Sequence, residues 1–290
     1  MVNETNAGTE LVRGTGLLVI EVVNSNPNGD PDRESDPRQR PDGRGEISPV
    51  SFKRKLRDLV EDKEGPVWKA VEKQLKLKAE AFYILESRGR KRDEIQKEIE
   101  KGTFSGKYWD ARLFGNTFLE EGASTSIKTG VAQFGLGVSL APVQIERMTN
   151  TNKAGVQEGK DRGMAPLGYR IVQHGVYCMP FFINPTAARK SGCTKQDIDL
   201  LLALIPYAYA HTASYVRPQV GIRHAWFIKH KSALGSCSDF DLLAALTPKR
   251  KQDFDAKEPS KSWVEYDPPE PLPDGLKGKI SSITDLVAGE

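Results

Sequence analysis

The chain has 290 residues, 38% of them hydrophobic and 28% charged, enough for one large domain or a domain with substantial insertions. Its longest apolar run falls well short of the ~18 residues that signal a membrane span, and its three cysteines, Cys178, Cys193 and Cys237, are too few and too scattered for a disulfide framework or a zinc site. The net charge of +3 conceals an asymmetry: residues 253–290 hold nine acidic against four basic side chains, a balance of −5, which leaves +8 on residues 1–252, and a basic body implies either a polyanionic partner or plain solvated charge.

The first residues (Asn3, Glu4, Thr5, Asn6) are polar and show no signal-peptide pattern, so a reduced, cytoplasmic protein is expected. Residues 17–23, dense in apolar and β-branched side chains, read as a buried central strand. It delivers the polar loop Asn24-Ser25-Asn26-Pro27-Asn28-Gly29-Asp30-Pro31-Asp32, in which every residue has a turn role. Residues 33–46 lack periodicity and read as a long, mobile connection. Ser48 is a good N-cap and Pro49 a good first residue for a helix whose apolar face is Phe52, Leu56, Leu59 and Val60. Ser51, Lys53, Arg54 and Arg57 lie off that face, and with the free N–H groups of the first turn they suit phosphate, or else form an ordinary wet basic face.

Residues 65–102 read as an insertion, with a helical pattern through Val67, Val71 and Leu75 and a charged stretch from Glu86 to Lys101. Tyr108 to Gly115 reads as a compact aromatic and charged turn, and sheet-like sequence returns through Val131 to Leu140. Gly135-x-Gly137 lacks the third glycine and the helix of a dinucleotide fingerprint. Residues 144–167, polar and basic with Met148 and Met164 as apolar tips, read as a projecting hairpin. Strand sequence follows from Tyr169 to Asn184, then a helix capped by Thr194-x-x-Asp197 and bent or ended by Pro206, then a strand at 220–230. Five prolines between 259 and 273 make the acidic end a tail that packs extended or stays loose. The order strand, helix, strand, strand, helix, strand predicts an α+β fold: an RRM-like, ferredoxin-like antiparallel sheet with two helices, a helical insertion and a β-hairpin thumb.

Four motifs in order then resemble one family: Asn24-x-Asn26-Pro27-Asn28-Gly29-Asp30-Pro31, the helix around Ser51-Phe52-Lys53-Arg54, Asp110-x-Arg112-Leu113-Phe114-Gly115, and Gly130-Val131-Ala132-Gln133-Phe134. The stretch Gly168 to Gly175 adds to them, and the likeness runs from about residue 14 to about residue 230. The family is the Cascade backbone subunit of CRISPR type I systems, of the RAMP superfamily, and the type I-C form is the nearest. The resemblance implies copies that polymerise along a CRISPR RNA, a thumb that displaces a base at intervals, and guide segments that pair with target DNA. Other implied partners are the RNA-processing and large subunits and, indirectly, a helicase-nuclease, with no membrane and no cofactor. The implied division is a palm (1–64, 107–143, 168–250), a helical insertion (65–106), a thumb (144–167) and an acidic tail (251–290). The expected RNA-binding residues are Asn24, Asn26, Asn28, Ser51, Lys53, Arg54, Arg57, Arg112, Gln133, Arg147, Met148, Lys160, Arg162, Met164, Arg170 and His174.

Two other readings compete. A metal-dependent RNA nuclease would use Asp30 and Asp32, since clustered carboxylates hold Mg²⁺. Both aspartates are flanked by prolines like turn formers, and no second acidic cluster is evident, so no catalytic or metal residue is expected. His174, His211, His224 and His230 form no nucleophile–base pair that the sequence brings together. A stand-alone RNA-binding protein would show the paired stacking aromatics of an independent RRM, which are not evident.

Overall fold

The computed structural model describes residues 11–87, 92–115, 129–153, 164–267, 269 and 271–287. Its strands are β1 (Gly14–Ser25), β2 (Arg44–Ile47), β3 (Ala132–Phe134), β4 (Gly137–Pro142), β5 (Ile145–Lys153), β6 (Met164–Ile183), β7 (Val220–His230), β8 (Lys249–Arg250), β9 (Tyr266–Asp267) and β10 (Ile280–Asp285). The helices are α1 (Pro49–Glu61), α2 (Pro66–Leu75), α3 (Arg92–Glu100), α4 (Phe104–Lys107), α5 (Trp109–Phe114), α6 (Ala188–Ser191), α7 (Lys195–Leu204), α8 (Asp239–Leu246) and α9 (Asp274–Lys277).

β1 is central because both its edges and both its faces are used. It pairs antiparallel with β6 on one side and β7 on the other, within a sheet ordered β10-β7-β1-β6-β4-β2. Successive side chains of a strand point to opposite faces. Leu18, Ile20 and Val22 pack with Phe52, Leu56, Leu59 and Val60 of α1 and Ile198 and Leu201 of α7. Leu17 and Val19 pack with Ile228, Leu242, Leu246, Tyr266, Leu272 and Ile280 on the other face. A strand covered on both faces must be apolar throughout, which explains the unbroken run 17–20.

β6 has twenty residues and changes partners along its outer edge. Phe181–Ile183 pair with β3, Tyr177 and Cys178 with β4, and Met164–Val172 with β5. The register with β1 ends at Ser25 opposite Val172. The remaining residues of β6, 164–171, are therefore paired only with β5 among the described strands, and the two form a ribbon reaching past the sheet. The resulting fold is mixed α/β, with a multi-stranded antiparallel sheet, helical insertions and a β-hairpin.

Two local expectations are corrected and a third, left open, is decided. The aromatic turn is a helix, α5, with all six residues buried. Its approach to the sheet requires Gly130, where a Cβ would stand 2.1 Å from the Phe114 carbonyl carbon. The connection 33–46 is tied down: Asp30 N–H donates to Asp36 O (2.7 Å), Arg38 N–H to Asn28 O (2.9 Å) and Glu46 N–H to Arg38 O (2.9 Å). Of the two readings of the acidic end, packed or loose, the structure shows the packed one. β10 joins the sheet beside β7, and Tyr266, Leu272 and Ile280 seal the second face. Two of its carboxylates are paired with the body, Glu265 with Arg250 (2.7 Å) and Asp285 with His224 (2.7 Å), so net charge concealed a docked segment.

Candidate nucleic-acid interface

At the end of β1 the chain turns sharply, and Asn24 takes a left-handed conformation (φ +43) with its side chain exposed. Asn26 and Asn28 are buried braces. Asn26 Nδ2 donates to Ser35 O (2.9 Å), its N–H to Val216 O (2.7 Å), and its carbonyl accepts from Arg217 Nε (2.9 Å). Asn28 Oδ1 accepts from the Ser48 N–H (2.7 Å), fixing the start of α1 against the loop. Asp30 accepts from the Asp32 N–H (3.2 Å) and caps a short 3-10 turn at Pro31–Arg33. No group of three or more His, Cys, Asp or Glu side chains placed to hold a metal ion occurs among the described residues.

Two adjoining clefts open here. One, about 560 Å³, lies between Asn26, Asn28, Gly29, Ser51, Arg170 and Arg217. The other, about 850 Å³, lies between residues 32–39 of the loop and the hairpin root at Arg147 and Arg170. Arg147 Nε donates to Asp36 (3.2 Å), and its Nη2 donates to the other oxygen of the same carboxylate. Those hydrogen bonds hold the Asp36 carboxyl below its ordinary range. Arg170 Nη2 pairs with Glu34 (2.6 Å) and its Nε lies 3.5 Å from Asp36. Tyr169 and Tyr215 make an edge-on aromatic pair at the same root (centroids 5.2 Å apart), with Tyr215 55% exposed. Met148, 43% exposed, stands opposite Tyr169 in the hairpin register.

The expected basic face of α1 is mostly engaged elsewhere. Ser51 lines the smaller cleft. Lys53 lies over the Phe114 ring (5.1 Å), where burial draws its ammonium down in pKa. Arg54 is held by Asp58 (2.7 Å), Glu61 (2.9 Å) and the Glu86 carbonyl (2.6 Å). Arg57 is buried against Asp110 (3.0 Å), whose other oxygen accepts from the Leu85 N–H (2.6 Å). Arg112 is also buried, bidentate on Asp197 (3.1 and 2.6 Å) and bonded to the Ser105 and Ala81 carbonyls (2.8 Å each). The Asp110-x-Arg112 motif is thus a clasp joining α1, α5 and the capping box that begins α7.

Gln133 is exposed on β3, bonding back to Gly130 O (3.1 Å), away from these clefts. His174 is buried under the C-terminal segment, between Ser260 (2.9 Å) and Glu21 (3.2 Å), because its position in β6 faces that side. Lys160 and Arg162 lie outside the described residues, and Met164 is described in its backbone alone. The structure therefore gathers Asn26, Asn28, Ser51, Arg147, Met148 and Arg170 at the loop end of β1 and separates Arg54, Arg57, Arg112, Gln133 and His174 from it. Sequence reasoning missed Arg217, Tyr215, Glu34 and Asp36. An aromatic and an arginine just ahead of the strand at 220 were the available signal for the first two.

A protein-family model described as CRISPR-associated protein Cas7 matches residues 12–268. No curated protein matches the sequence. Among solved structures, a chain of a CRISPR RNA-guided surveillance complex, pre-nicking, shares 14% identity over 76% of this chain and 78% of its own, with a TM-score of 0.49. A chain of a further CRISPR RNA-guided surveillance complex shares 15% identity over 74% and 69%, TM-score 0.41. A chain from a Type III-B Cmr-beta complex bound to cognate target RNA shares 12% identity over 75% and 61%, TM-score 0.41.

Proposed function

The chain belongs to the CRISPR-associated Cas7 family, whose model spans residues 12–268, and from that premise we propose that it is an RNA-binding backbone subunit of a Cascade-type surveillance complex. It is a structural subunit, not an enzyme. Copies of the chain assemble along a CRISPR RNA and hold its backbone, while base pairing between guide and target DNA reads sequence. A subunit that must accept any guide needs contacts to phosphate, sugar and stacked faces rather than to base edges.

The observation that carries this reading is the cleft pair at the loop end of β1, where Arg147, Arg170 and Arg217 meet the first turn of α1 and the root of a ribbon that outreaches the sheet. Residues 144–167 serve as the thumb, with Met148 and Met164 as wedges between bases. Lys160 and Arg162 stay among the contact residues on the sequence resemblance alone. Arg57, Arg112 and His174 are withdrawn from the contact set, because buried donors already engaged reach no ligand. The order β7-β1-β6-β4, all antiparallel, with α1 and α7 on one face supports a ferredoxin-like palm. Its second face is closed by the C-terminal segment, which argues against a stand-alone module that binds RNA on an open sheet. The RNA-processing and large subunits complete the assembly, and the sequence resemblance favours the type I-C form.

Size-exclusion chromatography of the purified chain with a CRISPR RNA tests the proposal. A large multi-copy species that carries the RNA is expected. A monomer eluting apart from free RNA overturns it.

A further inference from the structure

The hairpin root contains an anion site that the protein itself fills. Arg147 and Arg170 are register partners on β5 and β6, so two guanidiniums leave directly opposed positions on neighbouring strands. Like charges so placed repel, and an anion between them offsets the repulsion. Asp36 supplies it, with one carboxylate shared between both arginines, and Glu34 adds a second on Arg170. Neither acid belongs to the hairpin. Both arrive on the loop after β1, through a turn in which Glu34 (φ +50) and Ser35 (φ +66) are consecutive non-glycine residues in the left-handed region. That conformation is costly for residues with a Cβ, and it delivers Asp36 into the gap between the arginines. The Arg147 side chain is nevertheless 69% exposed, open to the larger cleft.

We infer that Asp36, assisted by Glu34, holds the place of a phosphodiester, so that an RNA backbone and these carboxylates compete for the same two arginines. The inference rests on the reading that this cleft takes RNA, and it names the contact: one phosphate between Arg147 and Arg170, reached by displacing the loop acids. An isolated phosphate gains little, since it replaces one anion with another. A strand that also engages Arg217 gains further contacts, which biases the site toward extended single-stranded RNA.

The test is RNA binding by the full chain, measured over a salt series, for wild type, Asp36→Asn and Glu34→Gln. Asp36→Asn keeps the shape of the side chain and removes its charge. It is expected to tighten binding about five- to tenfold at low salt and to steepen the salt dependence by about one phosphate contact, a slope of roughly 0.7 for a single strand. Glu34→Gln, on an exposed side chain, is expected to act in the same direction and less. Adding Arg147→Ala to Asp36→Asn should erase the gain. If Asp36→Asn fails to fold by thermal melting, Glu34→Gln decides. Wild type that binds RNA while neither variant binds more tightly overturns this site alone. Wild type that binds no RNA overturns the proposed function and this site with it.

Discussion

Two groups of arginines on this chain differ in everything but side-chain chemistry. Arg57 and Arg112 are buried, each locked to an aspartate brought from a distant part of the sequence, Asp110 and Asp197. Arg147, Arg170 and Arg217 stand at the edge of open clefts, and the partners of Arg147 and Arg170 are carboxylates of the loop after β1 and, for Arg170, the Arg33 and Glu34 carbonyls of that loop. The comparison shows that a motif-like spacing such as Asp110-x-Arg112 is as well explained by holding helices together as by binding a ligand. Scattered residues with no local pattern make the surface that a polyanion can reach.

The sharpest way to break the comparison is Arg112→Ala. Removing one partner of a buried ion pair leaves an uncompensated charge and costs about 3–5 kcal/mol. Chemical denaturation should show a loss of that size, with the remaining folded protein binding RNA as wild type does. A loss of RNA affinity at unchanged stability would move Arg112 into the interface. The second test runs the other way. Replacing Arg147, Arg170 and Arg217 together by Ala should weaken RNA binding on the order of a hundredfold and flatten the salt slope by about 1.4, two phosphate contacts on a single strand, for all sequences alike. Sequence-selective loss would contradict a backbone-reading site.

What the sequence disclosed follows the range of the interactions. β1, the Ser48–Pro49 start of α1 and the Thr194–Asp197 capping box are decided by neighbours within a few residues, and each is found where its pattern places it. The projecting hairpin is legible because its polar, basic strands lack an apolar face to bury. α5 was not legible, since Asp110 and Arg112 look solvent-seeking until partners 53 and 85 residues away are in place. The same reason hid Asp36, which lies 111 residues from Arg147. The docking of the C-terminal segment depends on Arg250, His224 and the β7 edge, none of which composition reveals.

A third cation tests what burial does without a carboxylate. Lys55 is buried, bonded to Thr212 Oγ1 (3.1 Å) and set over the Tyr209 ring, and it has no ion-pair partner among the described residues. Desolvation, with Arg217 nearby, pushes its pKa from 10.5 down to about 8. Well below pH 8 the lysine is protonated in both states, and the folded state bears the whole penalty, about 3 kcal/mol. Between pH 8 and 10.5 the unfolded chain binds more protons, so stability rises with pH across that window. Lys55→Met should raise stability at pH 7 by about that amount and remove its share of the alkaline rise. Lys63, drawn down to about 8 as well, contributes equally to both proteins and cancels in the difference. A Lys55→Met protein less stable than wild type, with an unchanged pH profile, would show that the Thr212 contact outweighs the desolvation.

The smallest effect is the most discriminating for the interface boundary. Arg54 lies off the apolar face of α1 and, by sequence, belongs with the phosphate ligands. In the structure it is about two-fifths exposed, and its donors go to Asp58, Glu61 and the Glu86 carbonyl. Exposed pairs of this kind are worth ~1 kcal/mol or less, because water and salt screen them and two long side chains must be ordered. Arg54→Ala should therefore lower stability only slightly and change RNA affinity by less than about twofold, the effect of removing a side chain outside the contact surface. The physical point is competition: a phosphate at Arg54 would have to displace two carboxylates and a carbonyl, with no cleft to supply further contacts. At Arg147 the Asp36 carboxylate must also be displaced, but the RNA gains a neighbouring arginine and a walled groove. A tenfold loss on Arg54→Ala would show that the outer face of α1 forms part of the guide path, and the division between bracing and binding arginines would then have to be redrawn along that helix.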